Sequence, residues 1–188
     1  MGRICVFAGS KPGSNPAYAE AAAALGTAIA RAGLGAVYGG AHVGLMGAMA
    51  DGVLAEGGEV IGVLPKNLLE IEIAHPGLTS LEVVADMHER KARMAALSDA
   101  FIALPGGLGS LEELFEAWTW SQLGLQQKPI GLLNVDGFYD GLLGFLDKAT
   151  REGFIKPPHR DALVVDTDAE RLLTRIRATE FPVVPKLS

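Results

Sequence analysis

The sequence has 188 residues, 49% hydrophobic and 20% charged, enough apolar material for one sizeable core and hence one domain over 1–188. A formal net charge of −6 excludes a protein that coats nucleic acid, which needs a surplus of Lys and Arg, but leaves room for one small, enclosed anion. A lone cysteine, Cys5, excludes an intrachain disulfide framework, and no apolar run approaches the roughly 20 residues that span a bilayer, so the chain reads as soluble, cytoplasmic and without membrane contact.

In chain order, the first predicted strand is Arg3–Ala8. A helix follows over Asn15–Ala32, where Pro16 suits the first helical position, alanines favour helix and Gly33 stops it. Gly35–Tyr38 is the second strand, Val43–Glu56 the second helix, ended by Gly57-Gly58, and Glu59–Leu64 the third strand. Pro65–Ser80 opens on a helix breaker, contains His75-Pro76-Gly77 and is long for a plain loop, so a short helix or a lid is expected there. Next come strand Leu81–Val84, helix Met87–Leu97, strand Ala100–Leu104 and helix Ser110–Leu125. Strand Ile130–Asn134, helix Gly137–Glu152, strand Leu163–Val165, helix Asp168–Ala178 and an irregular tail, Phe181–Ser188, complete the chain. Short β-rich runs alternating with helices predict an α/β fold with a mainly parallel central sheet flanked by helices.

Three strands run into glycine-rich turns: Gly9-Ser10 onward, Gly39-Gly40 through Gly47, and Pro105-Gly106-Gly107-Leu108-Gly109-Ser110. In an open parallel sheet such turns lie at the carboxyl ends of the strands, where ligands bind, and backbone N–H groups at a helix start attract phosphate. No turn matches the Walker pattern, the first lacks Gly-x-Gly-x-x-Gly, and no acidic residue ends the second strand at Tyr38, which disfavours P-loop and ordinary NAD binding. Ser110-Leu111-Glu112-Glu113 satisfies a capping box, with Ser110 as N-cap and Glu113 reaching back to it. The competing reading is a carboxylate beside a phosphate cradle, placed to face a ribose. Arg90 and Lys91, in a basic run that ordinarily marks a solvated face, precede the strand that feeds this loop. The four histidines lack metal-ligand spacing, so no metal is expected, and no nucleophile elbow supports a serine hydrolase. Trp118 and Trp120, flanked by Leu114, Phe115, Leu123 and Leu125, read as core or as the interface of a homodimer.

Pro105-Gly106-Gly107-Leu108-Gly109-Ser110-Leu111-Glu112-Glu113, with Met87-His88-Glu89-Arg90-Lys91 upstream, resembles the LOG (Lonely Guy) family of cytokinin riboside 5'-monophosphate phosphoribohydrolases. The resemblance extends to Tyr38-Gly39-Gly40, Gly44-Leu45-Met46-Gly47 and Lys128–Asn134 and is weak only in Pro65–Ser80 and the tail. It implies a three-layer, modified Rossmann-like fold, a dimer, no cofactor, and hydrolysis of a purine nucleoside 5'-monophosphate to free base and ribose 5-phosphate. It maps Arg90 and Glu113 onto the family's catalytic pair, and Glu72, Lys91, Gly107 through Glu112, and Thr119 onto substrate-contacting positions. Gly39, Gly40, Ser10, Gly106 and Ser110 complete the expected phosphate anchor. Ser110 stands where Thr is usual, a mild change that keeps the hydroxyl, and Ala41-His42 replace the Gly and Ser of plant members, a change expected to bear on phosphate or base contacts. An older label for such proteins, lysine decarboxylase, has no support in these residues.

Breaking a ribosyl C–N bond builds positive charge at the anomeric carbon, which a carboxylate stabilises. Glu113 is therefore expected to face the ribose, Glu112 to hold sugar hydroxyls, and Arg90 to orient Glu113 or meet the departing base. A non-catalytic carrier of a nucleotide or phosphorylated cofactor, and a nucleotide sensor acting through its dimer, are the rival readings.

Overall fold

The computed structural model describes residues 1–68 and 73–179. Its strands are β1 (Arg3–Phe7), β2 (Gly35–Tyr38), β3 (Val60–Pro65), β4 (Ser80–Val84), β5 (Ala100–Ala103), β6 (Ile130–Leu133) and β7 (Leu163–Asp166). The helices are α1 (Ala17–Arg31), α2 (Gly44–Ala55), α3 (Met87–Leu97), α4 (Leu108–Gln122), α5 (Asp140–Arg151), α6 (Pro157–Asp161) and α7 (Ala169–Ala178). All seven strands pair in parallel in the order β4-β3-β2-β1-β5-β6-β7. Such a sheet is covered on both faces, which is why β1, β2, β3, β5 and β6 are near-continuous apolar runs rather than alternating ones.

Successive side chains of each strand point to opposite faces. Ile4, Val6, Ala36, Ile102 and Leu104 pack under Leu25 and Ile29 of α1, Met49 and Val53 of α2, and Leu172 and Ile176 of α7. Cys5, Phe7, Val37, Phe101 and Ile130 pack under Met94 of α3, Leu114 and Trp118 of α4, and Leu146 of α5. The result is the expected three-layer α/β arrangement. The chain steps outward from β1 to β4 and returns beside β1 as β5, so the β1 and β5 loops diverge in opposite directions and leave a crevice between them.

One local expectation, a short helix after β3, is met, and one element is added. Pro65–Ser80 holds a short 3-10 turn, Lys66–Leu68, and an isolated bridge between Ala74 and Ala41, as well as the first residue of β4. Residues 153–162, left without an element in the sequence, include α6, a five-residue helix that starts on Pro157 and Pro158, where a missing N–H costs nothing. The His159 carbonyl accepts the Trp118 indole N–H at 3.2 Å, which ties α6 to α4 and makes Trp118 a core residue. Among the described residues no helix is long and apolar enough to cross a membrane. The predicted tail Phe181–Ser188 lies outside the described residues.

Candidate active site

The site is assembled where three strand ends meet. Gly9 N–H, just past β1, donates to the Pro105 carbonyl at 3.1 Å, and Leu45 N–H at the start of α2 donates to the Gly9 carbonyl at 3.0 Å. These bonds lock the three glycine turns together. Gly106 is at the closest approach: a Cβ there would overlap the Ser110 hydroxyl and lie 3.0 Å from the Gly9 nitrogen. Only glycine lets the loop pass between them.

Gly107, extended at φ −97° and ψ −154°, is the N-cap of α4 and, being glycine, brings no side chain of its own to the first-turn N–H groups. Ser110 is therefore the third residue of the helix, and it is buried. The capping box read from Ser110 and Glu113 is thus corrected, because the loop starts the helix at Leu108 and leaves Ser110 no place as its cap. A true capping pattern stands one helix earlier. Asp86 Oδ1 accepts from His88 N–H at 2.8 Å and Glu89 N–H at 2.9 Å, while Glu89 Oε2 reaches back to Ala85 N–H at 2.6 Å. Asp86-Met87-His88-Glu89 carries that signature in the sequence.

This cap fixes the first turn of α3 and with it Arg90, which is only 6% exposed. Its Nε donates to the Val63 carbonyl of β3 at 3.0 Å and its Nη2 to the Gly39 carbonyl beyond β2 at 2.8 Å; Nη1 stands 3.7 Å from Met87 Sδ. A buried guanidinium needs such partners, and two carbonyls from different strand ends set its plane. The basic run is thus split: Arg93 pairs with Glu82 at the surface, whereas Arg90 is sunk into the protein.

A cleft of about 330 Å³ gathers Arg90, Glu112, Glu113, Ser110, Ser10 and the Gly107–Gly109 segment together with the apolar Ala8, Met46, Leu68 and Met87. Glu113 also borders a small pocket against Phe7, Phe101 and Ala117. Its charge reaches the fully buried Cys5, whose thiol is pushed well up, first by burial and then by that carboxylate. Glu113 is thus half-buried and borders both the cleft and the small pocket. A neighbouring cleft of about 360 Å³ fills the β1/β5 crevice, lined by Tyr18, Phe138, Leu45, Pro12 and Lys11. It shares Ser10 and Gly107 with the first but, among the described residues, is lined by no carboxylate.

The structure brings Arg90, Glu113, Glu112, Ser110, Gly109, Leu108, Gly107 and Ser10 together in one cleft. Gly106 lies beneath the loop and lines the neighbouring cleft. Leu111 packs toward the core, and Leu108 is largely exposed. Gly39 and Gly40 are buried and line neither cleft; the Gly39 carbonyl holds Arg90, and the Gly40 carbonyl accepts His75 N–H at 2.9 Å. Lys91 turns toward α4, where Nζ meets Glu112 at 2.5 Å and Glu116 at 3.0 Å. These carboxylates raise its pKa against the opposing effect of burial, which is the largest single influence. Thr119 is exposed on α4 and borders neither cleft, and Glu72 lies outside the described residues. Ala41 and His42 line neither cleft; His42 bonds instead to the Ile73 carbonyl through its backbone N–H and Nδ1. The sequence missed the apolar side, Ala8, Met46, Leu68 and Met87. Met46 and Met87 lie inside the quoted motifs, beside the glycines and charges that drew attention.

A family model described as "Possible lysine decarboxylase" matches residues 46–176. The cytokinin riboside 5'-monophosphate phosphoribohydrolase LOG7 of Arabidopsis thaliana is 51% identical over 178 residues, covering 95% of this chain and 82% of its own. The probable cytokinin riboside 5'-monophosphate phosphoribohydrolase LOGL1 of Oryza sativa subsp. japonica is 52% identical over 176 residues, covering 94% of this chain and 79% of its own. Among solved structures, the molybdenum cofactor binding protein of the phototrophic bacterium Rippkaea orientalis superposes with a TM-score of 0.72 at 25% identity, covering 95% of this chain and 96% of that one.

Proposed function

The chain belongs to the LOG (Lonely Guy) family, and from that premise we propose that it is a phosphoribohydrolase. It cleaves the N-glycosidic bond of cytokinin riboside 5'-monophosphates, and of AMP, to free base and ribose 5-phosphate. One observation carries this: a single cleft holds a helix start with a glycine N-cap, a pair of carboxylates, a fixed guanidinium and an apolar lining from Met46, Leu68 and Met87. Each suits one part of a nucleotide.

The 5'-phosphate docks on the first-turn N–H groups of α4 with the hydroxyls of Ser10 and Ser110, where the helix dipole favours an anion. The ribose lies across Glu112 and Glu113, and the base against Met46, Leu68 and Met87, whose thioethers adapt to substituents of different shape. As the C1'–N bond breaks, its electron pair leaves with the base and positive charge grows on the sugar. Glu113 stabilises that charge and takes a proton from the water whose oxygen bonds to C1', and a proton passes through solvent to the base nitrogen that left, so neutral base and ribose 5-phosphate are released and the carboxylate is restored. Arg90 keeps a positive charge fixed beside the acid and the departing base, and Glu112 holds the sugar hydroxyls. Anchoring the phosphate lets binding energy far from the reacting bond position it.

A carrier needs no such acid pair, and a Schiff-base decarboxylase needs an available amine, whereas Lys91, the lysine beside the acids, is already held by two carboxylates. The test is base release. Glu113→Gln and Arg90→Ala should each abolish it with the fold intact by circular dichroism, and full activity in either variant sinks the assignment.

The chain acts as a homodimer in the cytoplasm, without nucleic acid or membrane partners. Leu125, 72% exposed just past α4, and Phe154, 85% exposed, offer apolar surface to a second copy, and the buried lone thiol of Cys5 suits a reducing compartment. Sedimentation equilibrium showing a monomer at micromolar concentration would remove the dimer.

A further inference from the structure

Beyond its shared edge at Ser10 and Gly107, the crevice between β1 and β5 takes no part in the nucleotide chemistry above. We propose that it is a second binding site, for a small planar aromatic ring that carries one anionic group. The site rests on the crevice alone; only its competition with the nucleotide rests on the phosphoribohydrolase reading.

At about 360 Å³ the crevice has the size of a small-ligand pocket, and two of the residues lining it are aromatic. Tyr18, in the first turn of α1, and Phe138, just before α5, meet edge to face at 5.6 Å, and Phe138 meets Tyr139 in the same way at 4.9 Å. Both lining rings are held from behind. Gly13, at φ 77°, lies against Tyr18 so closely that a Cβ there would come within 2.7 Å of the ring. Phe138 is set by the turn that precedes it. Asp136 takes a left-handed conformation at φ 49°, uncommon for a residue with a Cβ, and Asn15, ahead of α1, donates to its carboxylate at 2.7 Å. The buried Asn134 accepts Tyr139 N–H and donates to Asp140, each at 2.7 Å, and the Tyr139 hydroxyl donates to the Leu104 carbonyl at 2.6 Å. The turn is thus bonded both to the segment leading into α1 and to the end of β5. Strained backbone that its surroundings hold in place is characteristic of ligand sites. Phe138 nevertheless stays 41% exposed, an ordered aromatic ring left in water, which is unfavourable until something covers it.

The lining selects the ligand. Among the described residues Lys11 is the one charged side chain bordering the crevice, beside the apolar surface of Tyr18, Phe138, Leu45 and Pro12. A flat ring gains by packing on the two aromatic side chains and releasing water from them, and Lys11 favours a single negative charge on it. A cation would meet Lys11 with no carboxylate to offset it. The anionic group belongs at the edge made by Ser10 and Gly107, since Lys11 follows Ser10 directly. The nucleotide's 5'-phosphate uses that same edge from the other cleft, so the two ligands exclude one another and each weakens the other's binding. A small aromatic anion in the crevice therefore slows base release by raising the apparent KM for the nucleotide.

The experiment is calorimetric titration of phenyl phosphate into the full chain and its Phe138→Ala, Tyr18→Leu and Lys11→Gln variants. Inorganic phosphate and benzyl alcohol serve as probes that lack the ring or the charge. Phenyl phosphate should bind about tenfold or more tightly than either. Phe138→Ala and Tyr18→Leu should each weaken it by about tenfold while kcat/KM for AMP stays within about threefold. Lys11→Gln should weaken it by about threefold, an effect that fades as salt is raised. Phe138 is exposed enough for its truncation to spare the fold, and Tyr18→Leu keeps apolar packing on α1, so the test survives the loss of either variant. In kinetics, phenyl phosphate should raise KM for AMP at unchanged kcat. Affinity for phenyl phosphate no better than for inorganic phosphate, or unchanged in all three variants, would overturn the site, because the probe would then sit on the α4 turn alone. Phenyl phosphate and AMP bound at the same time would overturn the exclusion. A wild-type chain that binds phenyl phosphate through Phe138 yet releases no base from any nucleoside monophosphate overturns the phosphoribohydrolase reading and leaves this site standing.

Discussion

The carbonyl of Gly39 and the guanidinium of Arg90, 51 positions apart in the chain, are joined by a 2.8 Å hydrogen bond, and a Cβ on Gly39 would overlap the very nitrogen that makes it. The glycine after β2 thus seats the arginine. Gly39→Ala should displace Arg90, lowering kcat on AMP by about 10² or more, the scale of losing one fixed charge stabiliser. Arg90→Lys should not rescue Arg90→Ala, since a single ammonium cannot bond the Gly39 and Val63 carbonyls in one plane. Kinetics of the three variants, with urea melts to register about 1–3 kcal/mol for each buried carbonyl left unpaired, check this.

Gly106 makes a separable prediction because it bears on the phosphate and not on the acid. Gly106→Ala would drive a methyl into Ser110 and toward the Gly9 nitrogen, opening the loop that starts α4. The expected result is a KM for AMP raised by about tenfold or more, with little change for the nucleoside that lacks the phosphate. Ser110→Thr, which keeps the hydroxyl, should leave kcat/KM within about threefold. Equal losses on nucleotide and nucleoside would remove the loop from phosphate binding.

Away from the site, Asp166 closes β7 onto α7. The bonded Arg171 guanidinium, helped by Asp168 N–H and Arg175, holds its carboxyl down at about 2 from the ordinary 3.8, against the opposing effect of burial. The charged form is the one the fold favours, so this stabilisation is complete above about pH 4 and is lost as pH falls towards 2. Because both arginines are largely exposed, it amounts to on the order of 1 kcal/mol. Asp166→Asn should melt below the wild type at pH 7, converge with it near pH 2, and keep full base release. Melting curves in parallel over that range measure it.

The sheet was legible because a parallel strand covered on both faces becomes an apolar run, as Ile4-Cys5-Val6-Phe7 does, and because glycines punctuate the helix ends. The start of α4 was not. Ser-x-x-Glu fits a cap perfectly well by local rules, but the contact of Gly106 with Gly9 and Ser110 is set by two loops far apart in sequence, and it begins the helix at Leu108. Arg90 and Lys91 present the same difficulty. As a basic run they read as solvated, yet the carbonyls of Gly39 and Val63 and the carboxylates of Glu112 and Glu116 become their partners only when β2, β3 and α4 are in place. The apolar half of the cleft was hidden because Met46, Leu68 and Met87 look like any core residues until the fold turns them to one opening. Among the expected substrate contacts, Thr119 lies on the exposed face of α4, about nine residues or ~13 Å along the axis from Ser110.

The central claim is that this cleft cuts a nucleotide at its glycosidic bond. Chromatographic analysis of products after incubating the purified chain with AMP, GMP, CMP and an isopentenyl-adenine riboside 5'-monophosphate tests it most directly. The expected result is free adenine or isopentenyl-adenine with an equal amount of ribose 5-phosphate, and none of either from the Glu113→Gln variant. Recovery of every nucleotide intact, including any bound to the protein, would contradict it.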